Sequence, residues 1–117
     1  MSKVCIYHNP RCSKSRQALA LLEQQGDELE IVEYIETPPD SATLSALLQQ
    51  LGMNARDLMR RGEDIYKELK LDNPDLSEAE LVQAMVDYPR LIERPIVIRD
   101  GKAIVARPPE KVLELYA

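Results

Sequence analysis

The residue types best suited to chemistry gather in one short run, His8-Asn9-Pro10-Arg11-Cys12-Ser13-Lys14-Ser15-Arg16. The apolar stretch Val4-Cys5-Ile6-Tyr7 precedes it, and Ala18, Leu19, Leu21 and Leu22 follow with helical spacing, so Cys12 is expected at a strand-to-helix turn. Unpaired backbone N–H groups and the positive end of the helix dipole favour an anion at such a turn. A thiol placed there gives up its proton more readily, and the thiolate is the nucleophilic form. Charge patterning points the same way. The first sixteen residues hold Lys3, Arg11, Lys14 and Arg16 and no acid, whereas Gln17 to Ala55 contains neither Lys nor Arg. Seven acids fall between Glu23 and Asp40. Cys5, centred in the apolar run, reads instead as a small buried hydrophobe, the usual state of a free cysteine.

A reactive thiolate needs support and a means of being reset. His8 lies four residues before Cys12 across the turn and can pair with the sulfur or shape its surroundings. Ser15 stands where a dithiol motif would carry its second cysteine. It can hydrogen-bond a thiolate but cannot form a disulfide with it, so an oxidised Cys12 requires a thiol from outside. A phosphatase-type Cys-x5-Arg loop is absent, because Ala18 stands at the arginine position. Arg94, before Pro95, and Arg107, before Pro108, lie at the ends of one expected hairpin and are candidate neighbours, while Arg60-Arg61 closes a short helical turn. A guanidinium fork matches a tetrahedral oxyanion. From spacing alone each of these arginines reads first as a surface charge.

The elements that position these groups follow from periodicity and punctuation. A strand over Val4–Tyr7, a helix from Ser13 to about Gln25 stopped by Gly26, and a strand over Glu30–Ile35 make a β-α-β opening with a parallel pair. Thr37-Pro38-Pro39-Asp40 breaks the pattern. Leu44, Leu47, Leu48 and Leu51 then form one helical stripe ended by Gly52, and Ala55 to about Arg60 makes a further helical turn. Ser77 with Glu80 is a capping-box pair ahead of Leu81, Val82, Met85 and Val86, in a helix that Pro89 ends. Ile96–Arg99, Asp100-Gly101 and Lys102–Ala106 read as a two-residue-turn hairpin. A last helix after Pro108-Pro109 is expected to present Val112, Leu113 and Tyr116 on one face.

A length of 117 residues fits one domain with a modest core, and 44% hydrophobic with 30% charged residues is ordinary globular composition. The net charge of −5 and the pI near 4.9 argue against general nucleic-acid binding. The first residues are too polar for a secretory signal, and no apolar run approaches a membrane span. Two cysteines in unlike settings make no disulfide framework, which places the protein in the reducing cytoplasm. One histidine and two separated cysteines make a metal site unexpected.

Taken together, Tyr7 to Arg16, Leu58-Met59-Arg60-Arg61, Glu93-Arg94-Pro95-Ile96-Val97 and Arg107-Pro108-Pro109-Glu110 resemble the glutaredoxin-linked arsenate reductase family, in its order and spacing along essentially the whole chain. The resemblance is strongest to a short branch of that family. Ser13-Lys14 departs from the smaller pair of better-known members and adds a charge beside the thiol. The resemblance implies an α/β, thioredoxin-like fold over residues 1–117, with a helical insertion at about 38–92 between the β-α-β and β-β-α halves. It implies that Cys12 attacks arsenate to form a thiolate–arsenic adduct held by Arg60, Arg94 and Arg107. His8 would tune Cys12 and Ser15 would help hold its thiolate. Glutathione as co-substrate and glutaredoxin as partner would complete reduction to arsenite, with no bound cofactor, metal, membrane or nucleic acid. The peptide before Pro95 is expected to be cis. Two other readings share these residues: a glutathione-dependent thiol reductase acting on another small substrate, and an Spx-type regulator that binds RNA polymerase. Spx-type proteins usually keep a Cys-x-x-Cys switch, which Ser15 interrupts here.

Overall fold

The computed structural model describes residues 3–116. The chain divides into two compact units, one made of Met1–Thr37 with Arg94–Ala117 and the other of Pro38–Glu93.

The first unit is built on a four-stranded sheet. Its elements are β1 (Lys3–His8), α1 (Ser13–Glu23), β2 (Glu28–Glu33), β3 (Ile96–Arg99), β4 (Lys102–Val105) and a 3-10 helix at Pro109–Tyr116. The strand order is β2-β1-β3-β4, with β1 parallel to β2 and the remaining pairs antiparallel. This is the mixed α/β arrangement expected of a thioredoxin-like fold. Val4 and Ile6 point to one face of the sheet and meet Ala18, Leu22, Val97, Ala106 and Val112, all of them fully buried. The period-two alternation of β1 and the helical spacing of Ala18 and Leu22 thus converge on one core. Deleting the side chain of Ile6 would cost about 2–5 kcal/mol.

Register decides where the site falls. His8 pairs with Glu33 on one side of β1, and Tyr7 pairs with Ile96 on the other. Residues just after β2 and just before β3 are therefore delivered to the same end of β1, where the Cys12 turn begins.

Two expectations for this unit need correction. β2 covers Glu28–Glu33 rather than Glu30–Ile35, because the parallel register starts at Lys3 with Glu28. Tyr34 and Ile35 belong instead to a turn in which the Glu33 carbonyl accepts from Glu36 N (3.0 Å) and Thr37 N (2.9 Å). β2 is also an edge strand that leaves Ile31 about half exposed, at 47%. The last element, expected as a helix with Val112, Leu113 and Tyr116 on one face, is a 3-10 helix. With three residues per turn, Pro109, Val112 and Leu115 share the inward face, and Leu113 faces solvent. Arg99 holds this helix in place, donating from Nε to Asp27 Oδ2 (3.0 Å) and from Nη1 to the Leu115 carbonyl (3.0 Å), with the guanidinium 4.2 Å from the centroid of the Tyr116 ring. The hairpin turn is as expected. Asp100 and Gly101 both have positive φ, 52° and 80°, the geometry that suits the twist of a two-residue hairpin.

The second unit contains α2 (Ser41–Leu51), α3 (Ala55–Leu58), α4 (Asp64–Glu68), α5 (Glu78–Asp87) and a 3-10 turn at Pro89–Leu91. Asp40 caps α2 by accepting from Thr43 N at 2.8 Å, and Gly52 ends it in the left-handed region. The Ser77–Glu80 capping box is formed in both directions at 3.1 Å. Leu44, Leu47, Leu58, Leu81, Met85, Leu91 and Ile92 fill the interior. α3 stops at Leu58, short of the expected Arg60, because the chain leaves the helix to pair with residues after α5. Met59 bridges Ile92, Glu93 N donates to Leu58 O (2.9 Å), and Arg60 N donates to Leu91 O (2.7 Å). α4 was not anticipated; at 5 residues it is too short to show a period.

Candidate active site

The turn between β1 and α1 is built by Asn9. Its carbonyl accepts from Cys12 N (3.0 Å) and its side-chain Oδ1 accepts from Arg11 N (3.0 Å), the local pairing that suits asparagine to turns. Arg16 braces the turn from outside, donating to the Pro10 carbonyl at 2.7 Å. Cys12 occupies the N-cap of α1 with extended φ and ψ (−97°, 121°) and is partly exposed. No hydroxyl-type cap is made there. The Cys12 side chain makes no capping hydrogen bond, and the Ser15 and Lys14 N–H groups act on the sulfur through its acidity.

These surroundings set the acidity of the thiol. Partial burial pushes the Cys12 pKa up, but the Ser15 N–H, the Arg94 guanidinium and the Lys14 N–H together outweigh it and hold the pKa below the ordinary thiol value. Arg94 stays charged. Although burial disfavours its cation, Tyr34 and the Cys12 sulfur favour it more. Cys5 shows the opposite balance: burial first and Glu30 second push it up to about 11, with Lys3 too weak to compensate.

His8 and Ser15 are both buried, at 5% and 0% exposure, and are hydrogen-bonded to each other, Nδ1 to Oγ, at 2.6 Å. The direction of that bond follows the imidazole tautomer. The Ser15 oxygen also accepts from Asn9 N at 3.0 Å. Ser15 therefore meets the sulfur through its main-chain N–H, while its hydroxyl ties His8 to the turn. Burial, helped by Arg16 and opposed by Glu33, pushes the His8 pKa down, so the ring is neutral near pH 7.

The sequence-derived arginines divide between the two units. Arg94 and Arg107 are neighbours: Arg107 Nη1 donates to the Arg94 carbonyl at 3.4 Å, and each precedes a cis proline peptide. Arg60 belongs to the second unit, where it pairs with Glu93 (3.4 Å) and Glu63 (3.7 Å). Sequence reasoning took Tyr34 only as part of an apolar strand face. It is fully buried, and it lies near enough to the Arg94 guanidinium to favour the charged form. The signal that could have exposed it is a tyrosine at the end of a strand that leads to the same edge as Cys12. Among the described residues no group of three or more His, Cys, Asp or Glu is placed to hold a metal ion.

A sulfur made more acidic by two main-chain N–H groups and a charged guanidinium makes a site able to attack an electrophilic centre that carries oxyanion ligands. Comparisons with known proteins give the chain's kinship. Residues 7–115 match the ArsC family. The chain is 62% identical over 114 residues to an uncharacterized Escherichia coli K12 protein, spanning 97% of this chain and 96% of that one. It is 51% identical to an arsenate reductase of Neisseria meningitidis, covering 96% and 97% of the two chains. The solved structure of an arsenate reductase from Vibrio cholerae superposes with a TM-score of 0.94 at 52% identity, covering 97% and 98%. This chain belongs to the ArsC family.

Proposed function

We propose that the protein is an enzyme that reduces arsenate to arsenite, with Cys12 as its nucleophile. The observation that carries this reading is the Cys12 sulfur at the N-cap of α1, its acidity raised by the Ser15 and Lys14 N–H groups and by the Arg94 guanidinium. The kinship with an arsenate reductase from Neisseria meningitidis supports the choice of oxyanion.

The chemistry follows from electron counting. The thiolate attacks arsenic(V) and displaces an oxygen ligand, which leaves as water once protonated, to give a sulfur–arsenic bond. Reduction to arsenic(III) requires two electrons, and two sulfurs supply them by joining as a disulfide. Ser15 stands where a second local cysteine would be, so the second sulfur is drawn from outside. Glutathione supplies it, becoming a mixed disulfide with Cys12 as arsenite departs. Glutaredoxin then takes the glutathione moiety by thiol–disulfide exchange and returns Cys12 as a thiol. The cytoplasm provides these thiols.

In this reading Arg94 stabilises both the thiolate and the bound oxyanion, and Arg107 beside it adds a second fork. His8 and Ser15 keep the turn in the shape that aims the N–H groups at sulfur. Arg60 is assigned to the oxyanion from the family resemblance, and its ion pairs to Glu63 and Glu93 would have to be shared or released for that role. The test is a coupled assay of purified protein with arsenate, glutathione, glutaredoxin and a glutathione-recycling system. Arsenate-dependent glutathione oxidation is the expected result. Its absence, with Cys12 still readily alkylated, would leave thiol chemistry directed at another small substrate.

A further inference from the structure

The cations around Cys12 are not used alike. Lys3 pairs with Glu30 (3.5 Å) at the far end of β1. Arg16 donates to the Pro10 carbonyl at 2.7 Å and so braces the turn. Arg94 acts on the sulfur itself. Arg11 and Lys14, which flank Cys12 in the chain, do none of these things. Both side chains are exposed, and among the described residues neither makes an ion pair or a side-chain hydrogen bond. Their points of attachment are nonetheless fixed: Arg11 N donates to Asn9 Oδ1 (3.0 Å), and Lys14 lies in the first turn of α1. That turn is a poor place for a cation, because the positive end of a helix disfavours one. α3, α4 and α5 each carry an acid there (Asp57, Asp64, and Glu78 with Glu80), whereas α1 carries none. What Lys14 gives the sulfur comes from its main-chain N–H. Its ammonium is left for something that arrives from solvent.

We propose that Arg11 and Lys14 select the thiol that resets Cys12, by attracting a co-substrate that carries a carboxylate on either side of its sulfur. The proposal deepens the reading above and rests on one part of it, that Cys12 is regenerated by a thiol from outside. In glutathione the sulfur belongs to the middle residue of a tripeptide with a carboxylate at each end, as Cys12 stands between a guanidinium and an ammonium in the chain. An incoming thiolate also brings negative charge to a site that already holds an oxyanion. Two cations beside the turn offset that repulsion and favour an anionic thiol over a neutral or cationic one. Being exposed, each contact is weak and screened by salt. Weak contacts suit a guest that must depart once its disulfide is passed on. Arg94, partly buried, keeps the separate task of acting on the sulfur.

Mixed-disulfide formation on the resting protein tests it without arsenate. The Cys12 thiolate attacks oxidised glutathione, forming a bond to one sulfur while the other leaves as glutathione thiolate. Cystamine, a disulfide that carries ammonium groups and no carboxylate, is the control. The rate with oxidised glutathione relative to cystamine should fall about three- to tenfold in a protein carrying both Arg11→Gln and Lys14→Gln, the range expected of two exposed charge contacts. High salt should remove most of that difference. Taking the ratio cancels any change in the thiolate fraction of Cys12, and both side chains are exposed, so the fold is retained. Lys3→Gln removes an equal charge at the far end of β1 and should leave the ratio unmoved. A ratio unchanged in the double variant, or lowered as much by Lys3→Gln, would overturn the proposal. In the coupled assay the double variant should raise KM for glutathione by a similar factor with little change in KM for arsenate. A rise confined to arsenate would give both cations to the oxyanion and overturn the proposal as well. A protein that ignores arsenate yet shows the expected ratios loses only the substrate; one that reduces arsenate with an unmoved ratio loses only the role of Arg11 and Lys14.

Discussion

Cys5 and Cys12 lie seven residues apart, are both free and partly buried, and differ in almost everything that governs a thiol. Cys5 is inside β1, between Glu30 on β2 and Ile98 on β3, where its own main-chain groups are committed to the sheet. Burial and a neighbouring carboxylate keep it protonated up to about 11. Cys12 is one turn later, at the only kind of position where backbone N–H groups remain available, with a guanidinium opposite. It also suffers from burial, but there the donors win. A strand interior spends its donors on neighbouring strands, whereas a helix start has donors to spare. The reactivity of this protein is a property of that junction.

The most severe way to probe the contrast is to remove each sulfur in turn. Cys12→Ser should reduce arsenate-dependent glutathione oxidation to background, while Cys5→Ser should retain most of it. Equal losses in the two variants would show that the roles are wrongly divided. A smaller but still large effect is expected from Arg94→Lys. An ammonium cannot reproduce a fork that serves both sulfur and oxyanion, so KM for arsenate should rise about tenfold, the equivalent of roughly 1.4 kcal/mol. Unchanged kinetics would remove Arg94 from the site.

The two thiols should also leave opposite marks on stability against pH. Cys12 has a depressed pKa in the folded state. The stability it contributes is fully present above the ordinary thiol value and is lost as pH falls through the depressed one. Cys5 has a raised pKa; its contribution is intact below the ordinary thiol value of 9.0 and is lost as pH rises through about 11. Denaturant titrations across pH 8 to 12 should therefore show a loss on the order of 1–2 kcal/mol that is absent in Cys5→Ser. A loss of the same size in Cys5→Ser would assign it to other groups. The smallest effect concerns Glu30, an exposed carboxylate. Glu30→Gln should lower the alkylation midpoint of Cys5 slightly, and less so in high salt. An unchanged midpoint would leave burial alone to raise it.

Much of this junction was legible in the sequence because its signals are local. The apolar run before His8, the helical spacing after Ser15 and the absence of acids up to Arg16 place a cysteine at a basic helix start without any tertiary knowledge. The same holds for the Asp100-Gly101 turn and the Ser77–Glu80 cap. What was not legible depends on partners distant in sequence. The Ser15 hydroxyl is taken by His8 because the turn folds back on the strand end, so the serine acts on sulfur through its main chain. The proximity of Tyr34 to Arg94 exists only once β1 has brought β2 and β3 together. α3 ends before Arg60 because the Leu58 carbonyl accepts from Glu93 N and Arg60 N donates to the Leu91 carbonyl. The 3-10 form of the last helix was missed because a pattern of period three and one of period 3.6 differ little over 8 residues.

The central claim is that the Cys12 thiol is more acidic than an ordinary thiol while the Cys5 thiol is less acidic. Alkylation of the native protein by iodoacetamide as a function of pH, with the modified peptide identified at each point, tests it directly. The account predicts that Cys12 reacts first, with a midpoint below that of an ordinary thiol, and that Cys5 stays unmodified until strongly alkaline pH. A Cys12 midpoint at or above the ordinary thiol value, or parallel modification of both cysteines near neutrality, would contradict it.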